Sequence, residues 1–434
     1  MLFTIMFHPN PDQKYLLNPV VDFHSVLWPP SEGYPDARYF PMRWTREAMV
    51  RMVAPGRLVA AWTMGGFCEP SSGNITRLAW SGDGGRTWED AGRFEHPHRG
   101  LFTTELFVAG PDEVHAFLQV YDSWRWMSHN QMFRSISRDG GLTWSIPETV
   151  PGGVPPGWMN VGITHSSGRW VLPLTWPEFI GEEWGEPSSG RASGIACAGW
   201  REVPTHEMPR DMESWARYGE ANDWCHRNHR YAAGVVLSDD GGKTFRLRGY
   251  LTGGASGHLM EPQVVELSDG SIVMLLRSRG EGVLLRSVSR DGGETWSALE
   301  RTSIPNPSSK ANILRHSDGR IFLLNNPSSD RSNLMSARTP LSLWVSEDDM
   351  ATWSRQIDLV TKQDGCPHGL NYPSAYLDEE ANAIRFLWED SHTVFFMGID
   401  LARLDEPGSE AFAPLETVPF SFGQDSRKAE LVTV

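Results

Sequence analysis

Residues 261–296 read EPQVVELSDGSIVMLLRSRGEGVLLRSVSRDGGETW. The apolar runs VVEL, SIVMLL and VLLRSVS have the length of β-strands and are separated by turn residues. The stretch closes on SRDGGETW at residues 289–296, a hairpin in which Asp accepts backbone N–H groups and Gly supplies a positive φ. It therefore predicts one unit of antiparallel β-structure.

The closing hairpin is repeated along the chain. The pattern S-x-D-x-G-x-T-[WF] occurs, with a last copy that has lost its glycines, at residues 81–88, 137–144, 238–245, 289–296 and 346–353. A turn and an apolar strand precede most copies, as in GRLVAAW at 56–62 and DGRIFLL at 318–324. Four-stranded units that repeat at about fifty residues are typical of propeller blades. The hairpins themselves are interpreted as structural staples, because they lack the ligand alternation of a calcium loop.

These repeats predict an all-β fold, a six-bladed β-propeller of four-stranded antiparallel blades. Five blades carry the hairpin, and residues 372–400 are expected to form a sixth without it. Because a propeller must close its ring, we expect residues before Arg46 to add a strand to the last blade. The wide spacing between the second and third hairpins indicates an insertion at about 178–230. We expect residues 1–434 to form a single propeller domain.

Composition limits the classes of partner. The formal charge of −15 disfavours nucleic acid and anionic membranes, although arginines focused in a cleft can still bind a small anion. The four cysteines form no CxxC pair, so neither a zinc site nor another metal or cofactor is predicted. The opening MLFTIMFHPNPDQK lacks the features of a secretory signal. A cytoplasmic location is therefore expected by default, with secretion after removal of a leader as the alternative.

Asp-box (BNR) hairpins on a six-bladed propeller resemble the sialidase (neuraminidase) superfamily, and the resemblance extends over residues 46–400. It implies a carbohydrate or glycoconjugate substrate and a site with three elements. These are a three-arginine clamp for a carboxylate, a nucleophilic Tyr–Glu pair and an acid/base carboxylate.

The resemblance places the three arginines on separate blades. Arg46 matches the first, although the usual Arg-Ile-Pro setting is Arg-Glu-Ala here. Arg277, in LLRSRG, matches the second. Arg338, in SARTP, matches the third, with Arg331 as its competitor.

The remaining roles fall on a tyrosine and two glutamates. Tyr372, in NYPS, matches the nucleophile, with Tyr376 as a weaker choice, and Glu261 matches its partner. The loop MGGFCEPSSGN at 64–74 has no Asp where the family carries its acid/base, so Glu69 is the candidate for that role. An isolated Tyr, with a pKa of about 10, needs a base such as Glu261 to act as a nucleophile at neutral pH.

The resemblance implies a retaining exo-glycosidase for a terminal α-linked acidic sugar, sialic acid or a related one. One alternative keeps the fold with another sugar, of the Kdo, uronic acid or arabinose type, and uses Glu261 and Glu69 as a carboxylate pair. The other is a non-catalytic carbohydrate-binding or protein-binding propeller. The altered Arg-Glu-Ala segment and the missing Asp favour this last interpretation.

Overall fold

The computed structural model describes residues 15–28, 45–64, 74–97, 99–121, 130–181, 228–363, 369–390, 393–405, 412–415 and 432–433. These residues form six sheets, which we number as blades 1 to 6 in chain order. Strands of successive blades contact one another around the whole ring. The all-β, six-bladed propeller predicted from the hairpin repeats is therefore confirmed.

Each blade has an antiparallel core that is extended in places by short edge strands. The two strands that precede blade 1 are β1 (Tyr15–Leu17) and β2 (Val21–Trp28). Blade 1 contains β3 (Thr45–Ala54), β4 (Arg57–Met64), β5 (Ile75–Ser81) and β6 (Glu89–Glu95). Blade 2 contains β7 (Gly100–Gly110), β8 (Glu113–Tyr121), β9 (Gln131–Ser137) and β10 (Glu148–Thr149). Blade 3 contains β11 (Trp158–Met159), β12 (Ile163–Thr164), β13 (Trp170–Phe179), β14 (His229–Ser238) and β15 (Arg246–Leu251).

The second half of the ring follows the same order. Blade 4 contains β16 (Leu259–Glu266), β17 (Ile272–Ser278), β18 (Val283–Ser289) and β19 (Glu300–Pro305). Blade 5 contains β20 (Asn312–Arg315), β21 (Ile321–Asn325), β22 (Leu341–Ser346) and β23 (Arg355–Lys362), and β1 and β27 (Ala413–Pro414) extend its outer edge. Blade 6 contains β24 (Asn371–Asp378), β25 (Ala383–Glu389) and β26 (Val394–Asp400). Strand β28 (Val432–Thr433) pairs in parallel with β6, and two 3₁₀ helices cover Met335–Ala337 and Leu401–Asp405.

The ring is closed by the amino-terminal part of the chain. Strand β2 pairs antiparallel with β26 and forms the outer edge of blade 6. A strand from before Arg46 therefore completes the last blade, as the closure argument predicts.

The hydrophobic core lies between neighbouring blades, in six clusters around the ring. Strand β4 shows how the sequence specifies this arrangement. Leu58 and Trp62 pack towards blade 6, whereas Val59 and Ala61 pack towards blade 2. Because both faces of the strand are buried, its sequence is an almost continuous apolar run.

The Asp-box hairpins close the turn between the third and fourth strands, and that of blade 1 shows the local bonding. Ser81 Oγ accepts the N–H of Gly85, and Asp83 accepts both the N–H and the hydroxyl of Thr87. Gly85 has a φ of 87°, and a Cβ added there would lie 2.0 Å from the ring of Phe396 in blade 6. The hairpins therefore staple blades internally and to their neighbours, as interpreted from the sequence.

The fifth hairpin keeps this geometry without glycine. Asp349 and Met350 adopt φ values of 53° and 67°, and Met350 N–H still donates to Ser346 Oγ. Positive φ is unfavourable for side chains with a Cβ, so this copy is locally strained.

Several expectations concern other parts of the chain. Strands β13 and β14 flank the insertion and pair from Trp170↔Ser238 to Phe179↔His229, whereas residues 182–227 lie outside the described residues. The four cysteines also lie outside them. Within the described part of the chain, no helix has the length and apolar character needed to cross a membrane.

Candidate active site

Three innermost strands begin with the same irregularity. The pairing of β3, β16 and β24 shifts by one residue after Arg46, Met260 and Asn371, respectively. The next residue in each strand has a positive φ, and these residues are Glu47 (54°), Glu261 (45°) and Tyr372 (51°). A bulge re-aims a side chain, and positive φ at residues other than glycine is concentrated at functional sites. The bulges therefore place three candidate functional residues at one end of the propeller axis.

Arg277 connects two of these bulge residues. It is the last residue but one of β17 and lies directly opposite Met260. Its Nη1 lies 2.9 and 2.8 Å from the two carboxylate oxygens of Glu261 and 3.3 Å from the hydroxyl of Tyr372. Its Nε donates to Ser308 Oγ at 3.1 Å. Residues predicted as base, clamp and nucleophile thus form one connected group.

Arg338 approaches the same tyrosine from blade 5. It is 3% exposed, and its Cζ lies 5.6 Å from the centroid of the Tyr372 ring. It donates to Asn371 Oδ1 at 3.1 Å and to the carbonyl of Ser308 at 3.2 Å, and its buried Nε has no hydrogen-bond partner among the described residues. Arg331, its competitor from the sequence, is exposed to solvent.

Arg46 completes the group of arginines. Its Cζ lies 5.9 Å from the centroid of the Tyr372 ring, and its Nη1 donates to Glu389 at 3.2 Å. Glu389 is fully buried at the end of β25, the position that Arg277 occupies in blade 4. The structure therefore brings Arg46, Arg277 and Arg338 together around Tyr372.

Of the remaining candidates, one lies apart from this group and one lies outside the described residues. Tyr376 packs in the hydrophobic cluster between blades 6 and 1, and burial raises its pKa. Glu69 lies outside the described residues. The strands that flank its loop end at Met64 and restart at Ile75, and Met64 pairs with Thr45 beside Arg46. The ends of these two strands therefore lie at the same end of the ring as the site.

Sequence reasoning missed two charged residues of the site. Glu389 was detectable, because aligning the blades places it at the position of Arg277. Lys310 has no such signal, since it follows a Pro-Ser-Ser turn in blade 5. Its side chain is nevertheless buried, and its Nζ lies 5.9 Å from the centroid of the Tyr372 ring.

The charges in the site are strongly coupled. Burial acts to raise the pKa of Glu261, but the positive charges of Arg277 and Lys310 outweigh it and hold this pKa below its usual value. Burial opposes the charge of Arg277, yet the Glu261 carboxylate raises the pKa of this arginine overall. Burial and repulsion from Arg277 lower the pKa of Arg338 to about 10. Arg338 is therefore a cation whose described hydrogen-bond acceptors are all neutral.

The tyrosine is held by the neighbouring blades. Ser374, two residues after Tyr372, accepts a hydrogen bond from Arg51 at 3.0 Å, and Arg51 is paired with Glu105 in blade 2. On the other side, Asn312 of blade 5 accepts the N–H of Ala375 at 3.1 Å. These contacts fix the strand that carries the nucleophile candidate before any ligand arrives.

Comparisons with known proteins agree with this architecture. A sequence profile of the BNR repeat-like domain family matches residues 56–384. A sialidase of Bacteroides fragilis (strain YCH46) is 25% identical over an alignment of 324 residues that covers 65% of this chain and 48% of the relative. The chain thus spans about half the length of this curated relative.

Two solved structures share the fold at low identity. A Hadza microbial sialidase has a TM-score of 0.59 and 17% identity, covering 83% of this chain and 66% of its own. A protein of unknown function from Dyadobacter fermentans DSM 18053 has a TM-score of 0.59 and 16% identity, covering 88% of this chain and 98% of its own. The chain belongs to the BNR repeat-like domain family and has the six-bladed propeller fold of the sialidases.

Proposed function

We propose that the protein is a retaining exo-glycosidase that removes a terminal α-linked acidic sugar, sialic acid or a related sugar acid. The observation that carries this proposal is the convergence of Arg46, Arg277 and Arg338 on Tyr372, with Glu261 bonded to Arg277. The resemblance to a sialidase at 25% identity supports the same reaction class.

The arginines would bind the carboxylate of the sugar. Arg277 Nη2 forms no hydrogen bond with any described residue, so it can donate to a ligand. Charge-assisted bonds of this kind are stronger than bonds between neutral groups. An anionic group would also relieve the repulsion between Arg277 and Arg338 that lowers the pKa of Arg338.

Tyr372 would be the nucleophile. Its phenolic oxygen attacks the anomeric carbon as the bond to the leaving oxygen breaks, and its proton passes to Glu261. The low pKa of Glu261 keeps this group ionised at neutral pH, as a proton acceptor requires. Arg277 Nη1, 3.3 Å from the phenolic oxygen, would stabilise the negative charge that develops there.

An acid must protonate the leaving oxygen, and we assign this role to Glu69. After departure of the leaving group, the ionised Glu69 would take a proton from water, whose oxygen attacks the anomeric carbon. The tyrosyl oxygen leaves and regains its proton from Glu261. Two displacements at one carbon retain its configuration, and a neutral tyrosine avoids the repulsion that a carboxylate nucleophile meets beside an acidic sugar.

The experiment is a panel of aryl glycosides of N-acetylneuraminic acid, Kdo, glucuronic acid and arabinose, with the first-formed anomer identified by NMR. Tyr372→Phe should lower kcat by about 10³-fold or more if the nucleophile is removed. Tyr376→Phe is the matched control, because it removes a hydroxyl from the same strand, and it should retain activity. Full activity of Tyr372→Phe, or release of the inverted anomer, would refute the mechanism.

The panel also separates the two alternatives. Turnover of neutral arabinosides in preference to acidic glycosides would favour a carboxylate pair of Glu261 and Glu69. Binding of sugars without turnover of any substrate would favour a non-catalytic propeller. The position of Glu47 favours these alternatives, because it adds a buried carboxylate next to Arg46 of the clamp.

A further inference from the structure

We propose that Lys310 determines the specificity of the site, by contacting the anionic group of the sugar and disfavouring neutral sugars. The inference rests on the proposed function, which it deepens by adding a fourth cation to the three arginines. The acidic group can be a carboxylate on the anomeric carbon or on the carbon across the ring oxygen from it.

The first observation is the environment of the ammonium group. Lys310 is only 4% exposed, yet it forms no hydrogen bond or ion pair with any other residue in the described part of the chain. Its Nζ lies 5.9 Å from the centroid of the Tyr372 ring. The stem is buried, whereas Nζ is not among the fully buried atoms that lack a partner. An accessible ammonium group without an acceptor among the described residues is available to an anionic ligand.

The second observation is the position of Lys310 relative to the clamp. It precedes β20 of blade 5, whereas Arg46 belongs to β3 of blade 1, and these two strands flank β24. Both cations lie 5.9 Å from the centroid of the Tyr372 ring. Lys310 therefore approaches the proposed nucleophile from blade 5, whereas Arg46 approaches it from blade 1, on the other side of blade 6.

The third observation is that the backbone before Lys310 is held rigidly. Ser309 N–H donates to Asn306 Oδ1 at 2.9 Å, and Ser309 Oγ donates to Asn326 Oδ1 at 2.7 Å. Asn306 in turn donates to the carbonyl of Ser309 at 2.9 Å. The lysine stem thus starts from a fixed point, which suits a residue that must reach a ligand with little loss of entropy.

The charge balance explains the selectivity. Arg277 and Arg46 form ion pairs with Glu261 and Glu389, whereas Lys310 forms none within the described residues and interacts with the Glu261 carboxylate only at longer range. A neutral sugar would leave its ammonium unpaired, close to the positive charge that develops on a glycosyl cation. An acidic sugar places a negative group between the two positive charges, so the lysine both favours the acid and opposes its neutral analogue.

The test compares binding of a sugar acid with binding of its neutral methyl ester, by calorimetry, for the wild type, Lys310→Met and Lys310→Gln. The probes are N-acetylneuraminic acid, Kdo and glucuronic acid, each with its ester. Lys310→Met should weaken binding of the acid about 10- to 100-fold, the loss expected for one hydrogen bond to a charged group. Binding of the ester should stay constant or improve.

Lys243→Met is the matched control for the change in net charge. Lys243 is exposed in an Asp-box hairpin, and its removal should alter neither affinity. The melting temperature of Lys310→Met should not fall, because methionine fills a similar volume without a buried charge. Equal losses for acid and ester, or a lower melting temperature with unchanged selectivity, would show a structural role and overturn the proposal.

The readout is binding, so failure of catalysis does not affect it. If the wild type does not prefer any acid over its ester, both the acidic-sugar function and the role of Lys310 are wrong. If the wild type prefers the acid and Lys310→Met prefers it equally, only the role of Lys310 is wrong.

Discussion

Glu261→Gln should lower both the stability of the fold and kcat, and comparison with a control variant should separate the two effects. The substitution keeps the size of the side chain but leaves Arg277 without the carboxylate that its Nη1 contacts at 2.9 and 2.8 Å. Removing one partner of a buried ion pair destabilises a fold by about 3–5 kcal/mol. A fold of 434 residues has an unfolding entropy of about 0.9 kcal/mol/K, so the melting temperature should fall by about 3–5 °C.

Asp90→Asn provides a matched control for the stability effect. The ion pair of Arg77 with Asp90 has side-chain exposures of 9% and 15%, close to the 6% and 12% of Arg277 and Glu261. It joins β5 and β6 in the outer half of blade 1, away from Tyr372. Asp90→Asn should therefore lower the melting temperature by a similar amount without affecting the chemistry.

The assay is kcat on the best aryl glycoside, measured at least 15 °C below the melting temperature of each variant, alongside calorimetry. Glu261→Gln should lose about 10²- to 10⁴-fold in kcat, the usual contribution of a positioned general base. Asp90→Asn should stay within twofold of the wild type. Equal kcat losses in the two variants would mean that Glu261 acts through stability, and the assignment of the base would be wrong.

Three further predictions test the clamp, the hairpins and the response to acid. Arg338→Gln should raise KM for the acidic glycoside about 10- to 100-fold, whereas the exposed Arg331→Gln should leave it unchanged; steady-state kinetics decides whether the correct arginine has been identified. Gly85→Ala should destabilise the fold by about 2–4 kcal/mol, since its Cβ would overlap the phenylalanine of blade 6, but Gly84→Ala, with open space around its Cβ, by only about 1–2 kcal/mol; equal urea midpoints would contradict this. Hydrogen bonds from Thr244 lower the pKa of Asp240 to about 2, so its ionised form stabilises the fold above the ordinary value of 3.8 and this stabilisation is lost as the pH falls towards 2. Urea midpoints measured between pH 5 and pH 2 should therefore fall less for Asp240→Asn than for the wild type.

The architecture was predictable because its signals are local. The bonds of each hairpin join residues at most four positions apart, as between Ser81 and Gly85. Apolar strands such as LVAAW are buried on both faces, so their burial is visible in the sequence without knowledge of the partners. Resemblance to the sialidase superfamily supplied the candidate site residues, five of which the structure brings together and one of which, Glu69, lies outside the described residues.

The blades and their number thus follow from local patterns in the chain, and the polar residues at their ends follow from the resemblance to a known superfamily. Which of those residues meet depends on contacts between blades. Arg46 and Glu389 are 343 positions apart, and Arg277 and Tyr372 are 95 apart, so their contacts depend on closure of the ring. The role proposed for Lys310 also depends on the tertiary structure, because a lysine becomes a candidate for ligand binding only when the fold buries its side chain and provides no acceptor. The local repeats build the blades, and the convergence of residues from several blades creates the charged centre.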